Sequence, residues 1–240
     1  MSAATTSDQA NEQPAKQAGG MRARVRAELT AEIKAAASRQ IAQQGASALS
    51  LRAITRELDM ASSAIYRYFA SRDELLTALI IDAYNDVGAV VEAAVAGQPS
   101  ASQNKRFMAL AVAFRSWALA NPNQYALIYG SPVPGYAAPQ DTIPAATRLP
   151  LAMLTLLFEG HQTNRTIPKT KLSKSLAGLI EFTDGTIELD ALSRGVEVWA
   201  ELLGLVSLEL FGHFENTVSD PEVFFHHAVE QMATRTFADS

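Results

Sequence analysis

The chain has 240 residues, of which 48% are hydrophobic and 19% charged, which is enough apolar material for a substantial core. Cysteine is absent, which excludes a disulfide framework, a thiolate nucleophile and a cysteine-based zinc site. The formal net charge is −5, yet residues 21–80 hold nine Lys or Arg and six Asp or Glu, a balance of +3 that leaves −8 for the remainder.

The first twenty residues lack the apolar segment of a signal peptide and consist largely of small and polar residues. We predict a disordered tail over residues 1–20. Later apolar stretches are interrupted by charge well before the ~18 to 20 residues that a membrane span requires. We therefore expect a soluble, cytoplasmic protein.

Residues 24–44 are predicted to form an amphipathic helix, because their apolar residues recur at three- and four-residue spacing and Gly45 is placed to end it. A short second helix is predicted to open at Ser50. Its apolar face is opposite the side from which Arg52 and Arg56 project. The second helix therefore presents cations to solvent.

A third predicted helix runs from its N-cap, Ser62, to Phe69 after a tight connection. The sequence SRDE at 71–74 is a capping box, and it begins a fourth helix predicted over residues 72–96. Two short helices joined by a tight turn and followed by a longer one describe a helix-turn-helix inside a small bundle. A generic helical bundle with surface arginines is the alternative interpretation.

The third predicted helix has a core side and a cationic solvent side. On a helical wheel Ile65 and Phe69 face the core, whereas Ser63 and Arg67 lie opposite, with Tyr66 between them. Small side chains allow close approach to a groove, arginine pairs with phosphate or a guanine edge, and tyrosine hydroxyls reach phosphate oxygens. We therefore predict that this surface binds double-stranded DNA, through bases or through phosphates alone.

The segment SLRAITRELDMASSAIYRYFASRDELL resembles the DNA-binding domain of TetR-type bacterial transcription regulators, and the resemblance covers about residues 24–80. It rests on the Ile-Tyr-x-Tyr-Phe run after small residues and on the basic and acidic pair that opens the fourth helix. The resemblance implies phosphate contacts by Ser50, Tyr66, Tyr68 and Arg72. It implies that the residues facing bases are Arg52, Ser62, Ser63 and Arg67.

Beyond residue 97 the predicted helices are longer and more apolar, and the lack of an alternating strand pattern predicts an all-α fold. A stripe of aromatic residues is a candidate lining for a small-molecule cavity, although such a stripe is more often simple core. Its members are Phe107, Phe114, Trp117, Tyr125, Phe158 and Trp199. Arg115, within this stripe, either binds an acidic ligand or is a surface or paired arginine.

The longest apolar helix is predicted within residues 189–214, and Pro221 opens the last one. One recognition helix reads only about 4 to 6 base pairs, so we predict a homodimer, which these two helices can hold together. Candidate interface residues, not separated by the sequence from pocket residues, are Leu192, Val196, Leu203, Val206 and Leu210.

The segment WAELLGLVSLELFG resembles a subgroup of these regulators that is marked by a Trp-His-Gly signature. Trp199 and Gly204 match the signature, but Leu203 stands where the histidine is expected. This departure implies a more apolar effector pocket if the histidine serves a ligand, and nothing if it only packs.

Metal-ligating and enzymatic patterns are sparse. Glu209 and His213 lie one helical turn apart, and His226 and His227 are adjacent, but no dense ligand set surrounds them, so we predict no metal. The sequence has no Gly-rich phosphate loop after a strand and no nucleophile elbow. We therefore predict no cofactor and no enzymatic activity.

Together these patterns predict a ligand-responsive transcriptional regulator, with a helix-turn-helix domain at residues 21–70 and a larger ligand-binding and dimerisation domain at residues 71–240. We expect a repressor that binds a palindromic operator as a homodimer, and the resemblance implies release by a small apolar effector. One alternative is a helical small-molecule-binding protein or enzyme with a vestigial helix-turn-helix. Another is an architectural DNA binder without ligand control.

Overall fold

The computed structural model describes the backbone of residues 12–159, 161 and 166–237, with side chains from residue 20 onward. The fold of these residues is all-α, which confirms the predicted fold class. Among their helices, none combines the length and the apolar character of a membrane span.

The chain divides into two compact units. Among the described residues, the first unit comprises those up to residue 79 together with 132–137, and the second comprises residues 80–131 and those from 138 onward. The first unit therefore extends further along the chain than the helix-turn-helix domain predicted from the sequence, and it includes a segment distant in sequence.

Two complete α-helices, two 3-10 turns and the start of a third α-helix belong to the described part of the first unit. Their bounds are α1 Glu12–Gln44, a 3-10 turn Ala46–Ala48, α2 Leu51–Glu57, a 3-10 turn Ile65–Arg67 and α3 Arg72–Ala96. The bounds of α3 match the prediction, and its later turns belong to the second unit. Because α1 begins at Glu12, it includes residues assigned by sequence to the tail, whereas residues 1–11 lie outside the described part.

The ends of these helices follow local sequence signals. Gly45 ends α1 with a φ of 80°, a left-handed conformation that favours glycine. Asp59 follows α2 with a φ of 50°, which a short polar side chain tolerates. The predicted stop of α1 and the tight connection after α2 are therefore both present.

The segment predicted as a third α-helix forms turns and a single 3-10 turn instead. The amide of Arg67 donates to the carbonyl of Ala64 at 3.1 Å, and that of Tyr68 to Ile65 at 2.9 Å, each spanning three residues. Aromatic and β-branched residues lose rotamer freedom in an α-helix, and so short a segment gains little from propagation. The predicted burial still holds, because Ile65 and Phe69 are buried.

Apolar residues from α1, α2, the start of α3, the 3-10 turn Ile65–Arg67 and the connecting segments form the core of the first unit. The buried apolar side chains are Ile33, Ala36, Ala37, Ile41, Leu49, Leu51, Ile54, Ile65, Phe69, Leu75, Leu76 and Leu79. The returning segment, residues 132–137, adds a polar contact, since the hydroxyls of Tyr136 and Thr77 are 2.8 Å apart. This contact fastens the segment to the first turns of α3.

Eight further α-helices and the later turns of α3 belong to the described second unit. They are α4 Gln103–Ala120, α5 Pro122–Tyr129, α6 Ile143–Ala146, α7 Arg148–Phe158, α8 Lys171–Ser175, α9 Ala177–Phe182, α10 Leu189–Leu210 and α11 Pro221–Phe237. A 3-10 turn at Gln140–Thr142 precedes α6. The core lies where α4 packs against α7, α10 and α11, and α10 packs against α7 and α11.

Part of the polar segment after α7 forms the short helix α8. Thr170 caps α8, and the side chains of Thr170 and Ser173 each accept from the other residue's backbone amide in a capping box. Residues 160 and 162–165 lie outside the described part of the chain.

Candidate nucleic-acid interface and aromatic cluster

The residues predicted to contact DNA all lie in the first unit, on α2, the recognition turn (residues 62–68) and the start of α3. Five of their side chains are exposed: Arg52, Ser62, Ser63, Tyr66 and Arg67. The half-buried members are Ser50, Tyr68 and Arg72. Most of the predicted set is therefore available to a macromolecular partner.

Two exposed arginines of this set have no internal partner. Within the described residues, the guanidinium groups of Arg52 and Arg67 make neither an ion pair nor a hydrogen bond. Arg39, by contrast, pairs with Glu57 at 2.6 Å. Arg52 and Arg67 therefore carry uncompensated positive charge, which is what recognition of a polyanion uses.

Ser50 is held in place before α2. Its Oγ accepts from the amide of Ala53 at 3.4 Å, and its own amide donates to Oε1 of the nearly buried Gln40 at 3.0 Å. Gln40 in turn donates to the carbonyl of Ala48 at 3.2 Å. Because Oγ acts as an acceptor in the cap, the hydroxyl proton of Ser50 is left to donate to an anion.

Arg72 is engaged differently from the phosphate contact that the resemblance implies. Its guanidinium donates to the carbonyls of Leu49, Ala46 and Ser47 at 3.1, 3.0 and 3.3 Å. It also pairs with Asp73 at 3.1 Å. The side chain thus ties the loop before α2 to the start of α3, a role that sequence reasoning missed because it joins residues more than twenty positions apart.

Arg26 is a second residue whose contacts sequence reasoning missed. Its Nη2 donates to the carbonyl of Arg67 at 2.9 Å, and its guanidinium lies 5.4 Å from the ring centre of Tyr68. These contacts fasten the recognition turn to α1. The only sequence signal for these contacts of Arg26 is the run of arginines at the beginning of the predicted first helix.

The predicted capping box at the start of α3 is present. The amide of Glu74 donates to Oγ of Ser71 at 3.1 Å, and the carboxylate of Glu74 accepts from the amide of Ala70 at 2.5 Å. The carboxylate thus reaches one residue beyond the cap. This pair fixes where the recognition turn ends and α3 begins.

The predicted aromatic stripe of the second unit does not form one wall. Five members, Phe107, Phe114, Trp117, Tyr125 and Phe158, are buried in the core, and Trp199 is half-buried against it. The ring of Phe107 packs on Phe237, with centroids 6.0 Å apart. Phe114, Tyr125 and Trp199 meet around a tyrosine that the sequence analysis did not select.

That tyrosine, Tyr129, is the centre of a group that we call the aromatic cluster, consisting of Tyr84, Phe114, Tyr125, Tyr129 and Trp199. The centroid of Tyr129 lies 5.1 Å from Tyr125 and 6.0 Å from each of Tyr84, Phe114 and Trp199. These separations are typical of edge-to-face and tilted ring contacts. The spacing of Tyr125 and Tyr129, one turn apart on α5, is the sequence signal that would have found the centre.

The hydroxyl groups of the cluster differ in their partners. Tyr125 lies 2.7 Å from Oγ of Ser207 and 3.3 Å from the carbonyl of Leu203, and Tyr84 donates to the carbonyl of Ile128 at 3.3 Å. The buried hydroxyl of Tyr129 has no hydrogen-bond partner among the described residues. Burial, together with the neighbouring Tyr84 and Tyr125, raises the pKa of Tyr129.

Arg115 pairs with a carboxylate, which is one of the two alternatives that the sequence leaves open. Its Nε and Nη2 donate to the two carboxylate oxygens of Glu209 at 2.7 and 2.6 Å. Its guanidinium also lies 5.2 Å from the ring centre of Phe225. The hydrogen bonds to Glu209 raise the pKa of Arg115. The pair joins α4 to α10 and leaves the cation compensated.

An open groove of about 580 Å³ lies beside α11. It is lined by Met108, Asp220, Glu222, Val223, His226, His227 and Glu230. No set of three or more histidine, aspartate or glutamate side chains that could hold a metal ion occurs in the described residues.

Family comparisons match both units. Residues 33–79 match the model described as "Bacterial regulatory proteins, tetR family". Residues 107–232 match the model described as "Tetracyclin repressor-like, C-terminal domain". Together they cover the recognition turn, most of the aromatic cluster, α10 and most of α11.

Similar proteins span nearly the same length. The HTH-type transcriptional regulators Rv1816 of Mycobacterium tuberculosis and Mb1846 of Mycobacterium bovis are each 38% identical over 213 residues, which is 86% of this chain and 91% of theirs. The crystal structure of the regulatory protein SCO4313 is 37% identical, with a TM-score of 0.74, over 87% of this chain and 97% of that one. A Rhodococcus sp. RHA1 protein of unknown function, 22% identical, shares the fold with a TM-score of 0.65 over 87% and 95%.

Proposed function

This chain belongs to the TetR family of bacterial regulatory proteins and is a DNA-binding transcriptional regulator, and from that membership we propose that it is a ligand-responsive repressor. It binds a palindromic operator as a homodimer and is released by a small apolar effector. The observation that carries the DNA-binding part is the recognition turn, where Tyr66 and Arg67 are exposed and the Arg67 guanidinium is unpaired within the described chain.

The proposed DNA contacts fall into two groups. Ser50, Tyr66 and Tyr68 donate hydroxyl hydrogen bonds to phosphates, which fixes the register of the protein on the duplex. The residues proposed to face base edges are Arg52, Ser62, Ser63 and Arg67. For Arg72 we propose an indirect role, because its guanidinium already binds three loop carbonyls and so positions Ser50 and α2.

The proposed homodimer uses an apolar face of α10. Val196, Leu208 and Phe211 are 43, 42 and 46% exposed, and helical spacing puts them on one side of the helix with Gly204. Nothing lies within 4 Å of a Cβ built on Gly204, so another helix can approach closely there. Large exposed apolar faces mark protein interfaces.

Two of the interface residues suggested by the sequence face inward instead. Leu192 and Val206 are buried in the core of their own unit, at 0 and 1% exposure. They therefore cannot reach a partner, whereas Val196 can. Leu203 and Leu210 are half-buried at the edge between the core and the exposed face. The apolar periodicity of α10 thus includes two faces, which the sequence alone does not separate.

The proposed effector acts by differential binding. We consider two forms of the dimer that differ in operator affinity. An effector that binds more tightly to the form with lower operator affinity shifts the equilibrium between the two forms. The shift equals the difference between its two binding free energies, typically ~1 to 3 kcal/mol. The helix α3 belongs to both units and is the proposed lever. We further propose that Leu203, in place of the subgroup histidine, makes the pocket more apolar, because an aliphatic side chain replaces an imidazole. Its backbone carbonyl lies 3.3 Å from the hydroxyl of Tyr125, a member of the aromatic cluster.

Selection of random duplex DNA with the purified protein, followed by salt-titrated binding of the enriched sequence, tests the proposed function. We expect a two-fold symmetric site that is bound far more tightly than a scrambled duplex. If an intact dimer enriches no sequence, the specific regulator is excluded and a vestigial helix-turn-helix is supported. Binding without sequence preference would indicate an architectural protein.

A further inference from the structure

We propose that the hydroxyl of Tyr129 is the polar anchor of the effector site, and that the effector is an uncharged, flat, apolar molecule carrying a hydrogen-bond acceptor such as a ketone or ester oxygen. This inference rests on the proposed function, because it identifies the chemistry of the ligand to which the regulator responds. It adds one polar contact to the purely apolar effector expected from the sequence.

The surroundings of Tyr129 select for a flat apolar ligand. Four aromatic rings, those of Tyr84, Phe114, Tyr125 and Trp199, surround its ring at centroid distances of 5.1 to 6.0 Å. Aromatic walls with one or two polar groups are typical of small-molecule sites in proteins. Around Tyr129 three ring contacts are edge-to-face and the one with Tyr125 is tilted, and aromatic faces and edges of this kind suit contact with a flat apolar molecule.

The hydrogen-bond partners of the tyrosine hydroxyls identify Tyr129 as the proposed anchor. Of the three tyrosines in the cluster, Tyr84 and Tyr125 have partners inside the unit. Three buried polar atoms lack a partner in the described chain: Nε of Arg106, Oε1 of Gln124 and the hydroxyl of Tyr129. Among these, the Tyr129 hydroxyl is the one that belongs to the aromatic cluster. Buried polar groups are nearly always hydrogen-bonded, so an unpartnered one indicates a missing ligand or water.

The protonation of Tyr129 makes it a donor. Burial raises its pKa, as do the neighbouring tyrosines, so the hydroxyl stays neutral throughout the physiological pH range. A neutral phenol donates its proton to an acceptor oxygen. The charge of Arg115 is already compensated, because its Nε and Nη2 donate to the two carboxylate oxygens of Glu209. An uncharged acceptor therefore suits the site better than an acid.

Matched pairs of small molecules test the inference on the full-length protein. Acetophenone and cumene have nearly the same shape, as do 2-acetylnaphthalene and 2-isopropylnaphthalene, but only the ketones carry an acceptor. Calorimetric titration should show each ketone binding about tenfold or more tightly than its hydrocarbon partner, the effect of one hydrogen bond to a buried group. Tyr129→Phe should reduce that ratio to about 1 while the hydrocarbon affinities stay within about threefold.

Controls separate the anchor from general changes of the fold. Tyr136→Phe removes a hydroxyl outside the cluster and should preserve the ketone preference. Trp199→Phe should weaken both members of each pair alike, because the indole is proposed as a wall. The thermal midpoint of Tyr129→Phe should equal or exceed that of the wild type, since an unpartnered hydroxyl is lost.

Equal affinities within each pair, a preference that survives Tyr129→Phe, or no binding of any of the four compounds would overturn the inference. Operator binding without any compound is measured on the same preparation. Specific operator binding without a ketone preference would reject the anchor and keep the regulator. A ketone preference lost in Tyr129→Phe, in a protein that selects no DNA sequence, would keep the anchor and reject the regulator.

Discussion

Two arginines near the recognition turn show how the same side chain serves different purposes. Arg67 is exposed and unpaired within the described chain, whereas Arg72 gives its guanidinium hydrogens to carbonyls of the loop before α2. A free guanidinium reaches a nucleic acid directly. A bound one acts through the backbone that it holds, so the two arginines should respond differently to mutation.

Arg67→Ala should cost about 1 to 3 kcal/mol of operator binding and relax the preference at one base pair, if the proposed contact of Arg67 to a base edge is lost. Arg72→Ala should weaken binding to every duplex and lower the free energy of unfolding by about 2 kcal/mol, because several carbonyls lose a charged donor. Salt-titrated binding and denaturant unfolding measure both effects.

Salt dependence discriminates the two roles of Arg72. If Arg72 only holds the loop, the slope of log K against log salt should be the same for Arg72→Ala and for the wild type. Loss of a phosphate contact would instead make this negative slope shallower by about 1. A shallower slope would therefore support the direct phosphate contact that the family resemblance implies. Arg39→Ala, at an arginine paired with Glu57, provides a control.

Residue-level features were predictable from the sequence where they depend on near neighbours. The Ser71 cap, the Gly45 stop and the exposure of Arg67 all follow from spacing over a few residues. The carbonyl contacts of Arg72 and Arg26 join segments 23 to 41 positions apart, which no local pattern encodes.

Whole elements, too, were predictable only where local sequence signals determine them. The bounds of α3 were predicted because a capping box and a long apolar periodicity agree there. The recognition turn was predicted as an α-helix, yet its short run of aromatic and β-branched residues forms a 3-10 turn. The aromatic stripe was predicted as one surface, but ring contacts divide it, because helical periodicity shows which face is apolar and not what packs on it.

Removal of one partner from the ion pair between α4 and α10 should destabilise the second unit strongly. Arg115 and Glu209 have side chains only 13 and 12% exposed, so truncating one partner leaves a buried charge unpaired. We expect Arg115→Ala to lower the free energy of unfolding by about 3 to 5 kcal/mol, and Arg115→Met with Glu209→Leu to recover most of it. Denaturant titration measures both.

The exposed pair of Arg235 and Glu201 is the matched control, with side chains 62 and 44% exposed. Arg235→Ala should cost less than about 1 kcal/mol. Equal losses at the two sites would show that burial of the Arg115 pair has no energetic consequence.

Gly88 allows α3 and α7 to approach. A Cβ on Gly88 would lie 2.7 Å from Cβ of Arg148 and 2.9 Å from its Nε, which is too close for unstrained contact. Although alanine is the better helix former by about 1 kcal/mol, Gly88→Ala should destabilise the protein by about 1 to 3 kcal/mol. Gly178→Ala, with nothing within 4 Å, should be neutral or stabilising. A stabilised Gly88→Ala in thermal unfolding would contradict the close approach.

The same helix pair should contribute a pH-dependent stability. Arg148 donates to Glu92 at 2.6 and 2.8 Å, and this hydrogen bonding lowers the pKa of Glu92 below its ordinary 4.5. The stabilisation is therefore complete above pH 4.5 and is lost as pH falls through the lowered pKa. Because the carboxylate is half-exposed, Glu92→Gln should cost at most about 1 kcal/mol at pH 7.

Unfolding measured at pH 7 and at about pH 3 should show that the difference between wild type and Glu92→Gln shrinks in acid. Glu181→Gln, at an exposed carboxylate without an ion pair among the described residues, is the control. A difference that is constant with pH would exclude the ion pair as its source.

At the scale of the whole molecule, both family models and the division into two units agree with one scheme, a DNA-binding unit followed by a larger helical one. Composition predicted this scheme because positive charge concentrates in the first third of the chain. The returning segment 132–137 could not be predicted, since nothing in a Pro- and Gly-rich loop states which unit it joins.

The proposed homodimer predicts a selective effect of charge on α10. Leu208→Glu should produce monomers at micromolar concentration and abolish tight binding to a symmetric operator, because two carboxylates would enter an apolar interface. Leu172→Glu on α8 is the control, since Leu172 is 40% exposed and Leu208 is 42% exposed. Sedimentation equilibrium reports the mass. A dimeric Leu208→Glu, or a monomeric Leu172→Glu, would place the interface elsewhere.

The hydroxyl contact between Tyr136 and Thr77, which fastens residues 132–137 into the first unit, bears on how such regulators recombine. A single crossover between two relatives, placed between the end of α3 and residue 132, would join residues 1–79 from one parent to a returning segment from the other. A functional chimaera should therefore need residues 132–137 from the same parent as the N-terminal part of the first unit, which requires a separate exchange. To combine the operator specificity of one relative with the effector specificity of another, two segments of the chain must then be exchanged and not one continuous segment.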